Sequence, residues 1–294
     1  MKILLTGADG QLAQEIIKNK PKGIDLIGTT RSILDLYNLN DCFKFVIDNK
    51  PDWIINCGAY TNVEKADSEE EIAMKINAYA PMSFSKALLE TGGKLLQIST
   101  DFVFNGKQSI PYSTKAKKSP INIYGKTKAK GEDFIEEIFD GKDQAIILRT
   151  SWLIGQSGNN FLTKIINLIK EKDEINVVFD QIGGPTLTNS LANACWNIIF
   201  FSDVIFRSKK VGVPILHFSD CGCASWYDLA VAIKNQCSHI RMIDKEINIR
   251  PISYKDFPSK VSRPNFSLLD NEDIRDLIKI PHIHWIDALK KSFN

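Results

Sequence analysis

Tyr124-Gly125-Lys126-Thr127-Lys128 sets a phenol and an ammonium four residues apart, on one face if the segment is helical. A free tyrosine has a pKa of ~10 and keeps its proton at neutral pH. A nearby ammonium, aided by the charge of an oxidised cofactor, lowers that value and lets the phenol protonate the alkoxide formed when a ketone accepts hydride. In that chemistry Tyr124 is the general acid, while Lys128 tunes it and reaches the nicotinamide ribose. Thr100, within Ser99-Thr100-Asp101, would donate a hydrogen bond to the carbonyl oxygen. Of the seven tyrosines only Tyr124 has a lysine at this spacing. In a chain this rich in lysine such a pair arises by chance about as often as not, so a solvated tyrosine and lysine on a surface helix is the competing reading.

Position argues for chemistry. Gly7-Ala8-Asp9-Gly10-Gln11-Leu12-Ala13 follows an apolar strand, Ile3 to Leu5, and opens a helix whose apolar residues Leu12, Ile16 and Ile17 are helically spaced. Gly7 permits a tight turn. Gly10 lets a pyrophosphate approach the backbone at the helix start, where Gln11 and Leu12 present free N–H groups and the dipole favours anions. The spacing is G-x-x-G-x-x-A rather than G-x-G-x-x-G, so a plain strand-to-helix turn is the bland alternative. The second strand ends in Arg31 where an NAD enzyme would carry an acid; Arg31 would instead pair a 2′-phosphate, which points to NADPH and leaves NADH open. A solvated surface arginine explains it nearly as well. Gly58 and Ala59, after the third strand, are small enough to pass under a cofactor or simply to pack.

The elements that must position these groups alternate. Strands are expected at Asp25 to Thr30, Trp53 to Cys57, Lys94 to Ser99 and Ala145 to Arg149. Helices are expected near Asn40 to Asp48, Glu69 to Glu90 and Gly125 to Glu137. This rhythm implies an α/β, Rossmann-like, doubly wound parallel sheet with ligands at its carboxyl edge. Beyond residue 152 glycine and proline punctuation increases, around helical stretches Phe161 to Lys170, Leu187 to Phe200 and Trp226 to Lys234 and a strand at Ile215 to Ser219. A dinucleotide-binding domain over 1–152 and a smaller, interleaved substrate-binding lobe over 153–294 are expected, with about 178–220 returning to the first.

Thirty-seven basic and thirty-five acidic residues are interspersed and give a net charge of +2, so no footprint for nucleic acid appears and a small-molecule partner is favoured. No run approaches the ~18 apolar residues of a membrane span. Six cysteines without a regular framework suggest reduced thiols and a cytoplasmic protein. His282-Ile283-His284 alternates like a strand and lacks acidic or cysteine partners at ligand spacing, and Cys221-Gly222-Cys223 is too close for zinc, so no metal site is expected.

Longer motifs carry a resemblance: Ser99-Thr100-Asp101-Phe102-Val103-Phe104, Pro120-Ile121-Asn122-Ile123-Tyr124-Gly125-Lys126-Thr127-Lys128, Arg149-Thr150-Ser151-Trp152, Gly158-Asn159-Asn160-Phe161, Asp180-Gln181-Ile182-Gly183-Gly184-Pro185-Thr186 and Arg263-Pro264-Asn265-Phe266-Ser267-Leu268-Leu269. Over nearly its whole length the chain resembles the dTDP-4-dehydrorhamnose reductase family of the extended short-chain dehydrogenase/reductase superfamily. The resemblance implies reduction of the C4 ketone of a nucleotide-linked sugar, dTDP-4-dehydro-L-rhamnose, by NADPH or NADH. It gives Thr100, Tyr124 and Lys128 the catalytic positions, and it puts Ala59, Tyr60 and Thr61 against the cofactor. Asp101, Phe102 and Trp152 then lie near the sugar, with Arg263 and Ser267 in a C-terminal substrate-side motif.

The chain also departs from the family. Phe102 stands where tyrosine is common, which removes a hydroxyl. Some members form a magnesium-bridged dimer through glutamates; Glu15 fits one, but Asn189-Ser190 occupies the place of another acid, which makes magnesium doubtful and leaves a homodimer open. Thr114-Lys115-Ala116-Lys117-Lys118 is basic where relatives are commonly acidic. Three other readings share the pattern. A sugar-nucleotide dehydratase needs glutamate where Phe102 stands; an epimerase would recycle its cofactor; and a non-catalytic relative, the regulatory subunit of methionine adenosyltransferase, keeps many of these motifs as a binding partner.

Overall fold

The computed structural model describes residues 1–156, 158–209, 211–259 and 261–293. The first half alternates β1 (Lys2–Thr6), α1 (Gln11–Lys18), β2 (Asp25–Thr29), α2 (Leu39–Asn49) and β3 (Trp53–Asn56). A long helix follows as α3 (Glu70–Met74), a π turn (Lys75–Tyr79) and α4 (Ala80–Thr91). Then come β4 (Lys94–Thr100), a 3-10 turn (Asp101–Val103), α5 (Ile123–Ile138) and β5 (Ala145–Thr150). The remainder comprises β6 (Leu153–Ile154), α6 (Phe161–Glu171), β7 (Glu174–Val178), β8 (Ile182–Gly183), β9 (Thr186–Leu187), α7 (Thr188–Phe200) and α8 (Ser202–Ser208). It closes with β10 (Ile215–Phe218), β11 (Ala224–Ser225), α9 (Trp226–His239), β12 (Asn248–Ile252), a 3-10 turn (Tyr254–Asp256), α10 (Glu272–Ile278) and α11 (Trp285–Lys291).

Six strands form the main sheet in the order β10-β5-β4-β3-β1-β2, and every pairing is parallel. Side chains alternate between its faces. Ile3, Leu5, Ile55, Leu96 and Leu148 pack with α1, α7, α8 and α10; Leu4, Ile54, Leu95 and Ile147 pack with α2, α4 and α5. Both faces are covered, which is why these strands read as continuous apolar runs. The chain leaves β1 for β2 on one side and returns as β3 on the other, so the connections after β1 and β3 diverge and open a crevice at the carboxyl edge.

A second hydrophobic cluster joins α6, α9 and α11 with β7, built on Ile165, Ile169, Val177, Leu229, Ile233 and Trp285. Meanwhile α7 and β10 return to the main sheet, where Ile215 to Phe218 pair in parallel with Ile147 to Thr150. The expected helix over Glu69 to Glu90 contains a π turn, and α5 starts two residues early because Asn122 caps it, its side chain accepting from Gly125 N at 2.8 Å. His282 to His284 form no strand; one bridge joins Cys221 to His284.

Candidate active site

Gly7 has a φ of +64°, and a Cβ there would lie 2.8 Å from the Cα of Gly58, so the bends after β1 and β3 come this close only because Gly7 lacks a side chain. Gly10 caps α1 with extended backbone and no side-chain hydrogen bond, which leaves the first N–H groups of the helix free of side-chain partners. Gly58 N donates to Thr6 Oγ1 at 3.1 Å, and Thr6 Oγ1 donates to Asn56 Oδ1 at 2.5 Å, so buried polar groups hold the two bends together from below.

A cleft of about 600 Å³ opens over these bends. It is lined by Gly7, Gly10, Gln11, Leu12, Gly58, Ala59 and Thr61 on the dinucleotide side, and by Ser99, Thr100, Asp101, Phe102, Tyr124, Lys128, Trp152 and Arg263 on the other. Residues separated by more than 250 positions thus share one space. Three expected site residues do not line it. Tyr60 is tied elsewhere, its backbone N–H donating to Asn77 Oδ1 at 2.9 Å while its hydroxyl donates to Glu69 at 2.7 Å. Ser267 is buried, and its hydroxyl acts to lower the Asp101 carboxyl. Arg31 follows β2 with its side chain 78% exposed and paired to Asp35 at 3.2 Å.

The catalytic candidates arrive from two elements. β4 and its 3-10 turn deliver Thr100 and Asp101; α5 delivers Tyr124 and Lys128. Gly125 allows the approach, since a Cβ there would stand 2.2 Å from the carbonyl oxygen of Phe102. The Phe102 and Tyr124 rings meet edge to face at 5.5 Å. Thr100 Oγ1 donates to Asp101 Oδ1 at 3.0 Å and accepts from Phe102 N at 3.2 Å. Lys128 Nζ donates to the carbonyl of Ile98 at 2.7 Å.

The electrostatics differ from the simple expectation that Lys128 lowers Tyr124. Burial pushes the phenol up to about 12, with Thr100 opposing and Asp101 adding to the rise. Burial also pulls Lys128 down to about 8, against the charge of Glu132. Asp101 is raised to about 6 by burial, and its Oδ2 has no hydrogen-bond partner among the described residues. The protein alone therefore holds the phenol firmly protonated.

Other residues also build the site. Trp226 stacks on Trp152 at 3.6 Å and 4° with Phe161 beside it, forming an aromatic wall where the catalytic cleft meets a second cavity of about 410 Å³. Trp152 adopts a φ of +42°, and Gly183 makes room for its ring. Arg263 lines both cavities; its Nη2 donates to Glu64 at 2.6 Å and its buried Nε has no partner among the described residues. Asn77, in the π turn, donates to Tyr60 O and to Thr127 Oγ1 at 3.0 Å each, tying the loop after β3 to the catalytic helix. Only Asn122, a capping residue two before the tyrosine, left a local signal.

Donors fit a dinucleotide: unpartnered helix N–H groups, glycines where a Cβ would intrude, and a titratable pair beyond. The magnesium bridge fits less well. Asn189 Oδ1 already accepts from Asn19 and Asn193.

A family model described as the RmlD substrate binding domain matches residues 1–294. The dTDP-4-dehydrorhamnose reductase of Aggregatibacter actinomycetemcomitans is 33% identical over 291 residues, covering 98% of this chain and 97% of the relative. A crystal structure of a dTDP-4-dehydrorhamnose reductase from Clostridium acetobutylicum superposes with a TM-score of 0.89 at 36% identity, over 100% of this chain and 98% of that one. The Bacillus anthracis enzyme of the same name, in complex with NADP, gives 0.89 at 33% identity over 99% and 98%. With matching sequence and fold over the full length, the chain belongs to the RmlD substrate-binding domain family.

Proposed function

We propose that this protein reduces the C4 ketone of dTDP-4-dehydro-L-rhamnose to dTDP-L-rhamnose with NADPH, NADH being the alternative donor. The observation that carries the reading is the convergence of Thr100, Tyr124 and Lys128 on the same cleft as the Gly7–Gly10 bend. The cofactor, when bound there, supplies the hydride. The residues of the chain bind, orient and protonate. The free N–H groups at the start of α1 receive the pyrophosphate, with Gly58, Ala59 and Thr61 beside it. Thr100 and Tyr124 both line the cleft, and a carbonyl oxygen seated between them accepts from both once the Thr100 hydroxyl turns from Asp101.

Proton transfer needs no strongly acidic phenol in the reductive direction. An alkoxide is about as basic as hydroxide, whose parent water has a pKa of ~15.7, so a phenol at about 12 gives up its proton downhill. Lys128 stabilises the phenolate that remains. Phe102, packed edge-on against Tyr124, offers no carboxylate to drive elimination, which separates this site from a dehydratase. Trp152, Trp226 and Arg263 lie on the substrate side, and Ser267 holds Asp101 behind the sugar. Arg31 meets the 2′-phosphate by releasing Asp35. The expected division is a dinucleotide-binding part over 1–152 and a substrate-binding part over 153–294, with about 178–220 returning to the first. Six free cysteines suit a reducing, cytoplasmic setting, and a homodimer is left open.

The test is NADPH oxidation with dTDP-4-dehydro-L-rhamnose, the product identified by NMR. Stoichiometric formation of dTDP-L-rhamnose is expected. No oxidation with this or any related nucleotide-linked 4-ketosugar contradicts the proposal and favours a binding subunit.

A further inference from the structure

Glu132 lies one helical turn beyond Lys128 and does not line the cleft. Ser99 on β4 and Arg149 on β5 are register partners in the parallel sheet, so their side chains share one face, the face that α5 covers. Between them sits the Glu132 carboxylate, fully buried. Ser99 Oγ donates to Oε1 at 2.5 Å, Arg149 Nε donates to Oε1 at 2.9 Å, and Arg149 Nη2 donates to Oε2 at 2.7 Å. Lys118, from the loop before α5, reaches Oε2 at 3.5 Å. Behind Arg149, His217 accepts at Nε2 and donates from Nδ1 to Tyr112 O, a neutral imidazole that burial and Arg149 hold at about 3. A buried ion pair is often no more stable than apolar side chains of similar volume, so stability alone is a weak reason for this one beneath the catalytic floor.

We infer that Glu132 is a positioning residue for the reduction: its carboxylate fixes Ser99 at the floor of the cleft and keeps the Lys128 ammonium charged beside Tyr124. The inference rests on the Tyr124–Lys128 reading above. The groups that face Lys128 are few. Tyr124 and Glu132 share its helix, Cys57 approaches from the end of β3, and the carbonyl of Ile98 accepts its proton on β4. Asp101, from the turn after β4, acts on Tyr124 rather than on Lys128. Burial drives Lys128 down to about 8, and Glu132 is the principal charge opposing it. Cys57, raised to about 12 by its own burial, is neutral near pH 7 and cannot substitute. Glu132 itself stays ionised: burial pushes its carboxyl up, but Arg149, Lys118 and Ser99 together hold it below its ordinary value.

The experiment is the pH dependence of kcat/KM, which reports titration in the free enzyme. In the unaltered protein the basic limb marks loss of the Lys128 proton. Glu132→Gln is expected to move its midpoint down by about one pH unit, the usual effect of one close opposite charge, while Glu132→Asp restores it. If Glu132→Gln fails to fold with Arg149 left unpaired, the Glu132→Met/Arg149→Met double variant replaces the pair with apolar volume; it removes one charge of each sign, so its midpoint falls by less than about one pH unit but still falls. A folded variant whose rate falls uniformly, with its midpoint unmoved, overturns the inference and leaves Glu132 merely structural. A basic limb that persists unchanged in Lys128→Met instead overturns the Tyr124–Lys128 reading on which it rests.

Discussion

Lys128 Nζ lies 2.7 Å from the carbonyl oxygen of Ile98, which anchors the catalytic helix to the carboxyl end of the central strand β4. The same carbonyl accepts from Gln97 Nε2 at 2.8 Å, and Gln97 Oε1 accepts from Asn56 at 2.7 Å. Through Thr6 this chain reaches Gly58 under the dinucleotide bend. The ammonium is therefore set from below by the sheet, and its place does not depend on contact with the phenol. Lys128→Met should lower kcat/KM by about 10²-fold or more in steady-state assays and leave the far-ultraviolet circular dichroism unchanged.

Asp101 gives a stability prediction with a definite sign. Its folded-state value of about 6, raised by burial from 3.8, means that the folded protein keeps a proton which the unfolded chain releases. Stability from this group is present at low pH and lost as the pH rises through about 6. Asp101→Asn is neutral throughout and escapes that loss. Its Tm relative to the parent should rise between about pH 4 and about pH 7 in thermal melts; a constant difference would contradict the burial argument.

Gly183→Ala tests the aromatic wall. A Cβ at this position would come within 2.5 Å of the Trp152 ring, which is stacked against Trp226 and cannot retreat without breaking that pair. Displacing the wall should raise KM for the nucleotide sugar by about tenfold or more, while NADPH affinity, set across the cleft, stays unchanged. Separate KM and Kd measurements read the two effects.

Arg31→Ala should weaken NADPH by about fivefold, the scale of one exposed charge pair, and leave NADH unaffected. Fluorescence titration of both cofactors measures it. Equal losses for the two would assign Arg31 to packing.

What was legible in the sequence, and what was not, follows from the range of each interaction. The β1 strand, the Gly7 turn and the start of α1 announce themselves because period, glycine and helix onset lie within a dozen residues. Tyr124 and Lys128 are one helical turn apart, so their common face could be read directly. The π turn that aims Asn77 at Tyr60 and Thr127 has no such local mark: the same apolar spacing suits an unbroken helix. Trp152 meets Trp226, and Glu132 meets Arg149, only because separate elements converge, and no periodicity in either segment encodes the partner. The shift of Tyr124 to about 12 was missed for a related reason, since burial outweighs a lysine whose proton is committed to Ile98.

The central claim is that the phenol of Tyr124 delivers the proton. Turnover of Tyr124→Phe with NADPH and dTDP-4-dehydro-L-rhamnose, measured beside its NADPH affinity, tests this most directly. A fall in kcat of about 10²-fold or more with cofactor binding intact is the predicted result. Turnover within a few-fold of the parent would contradict the account.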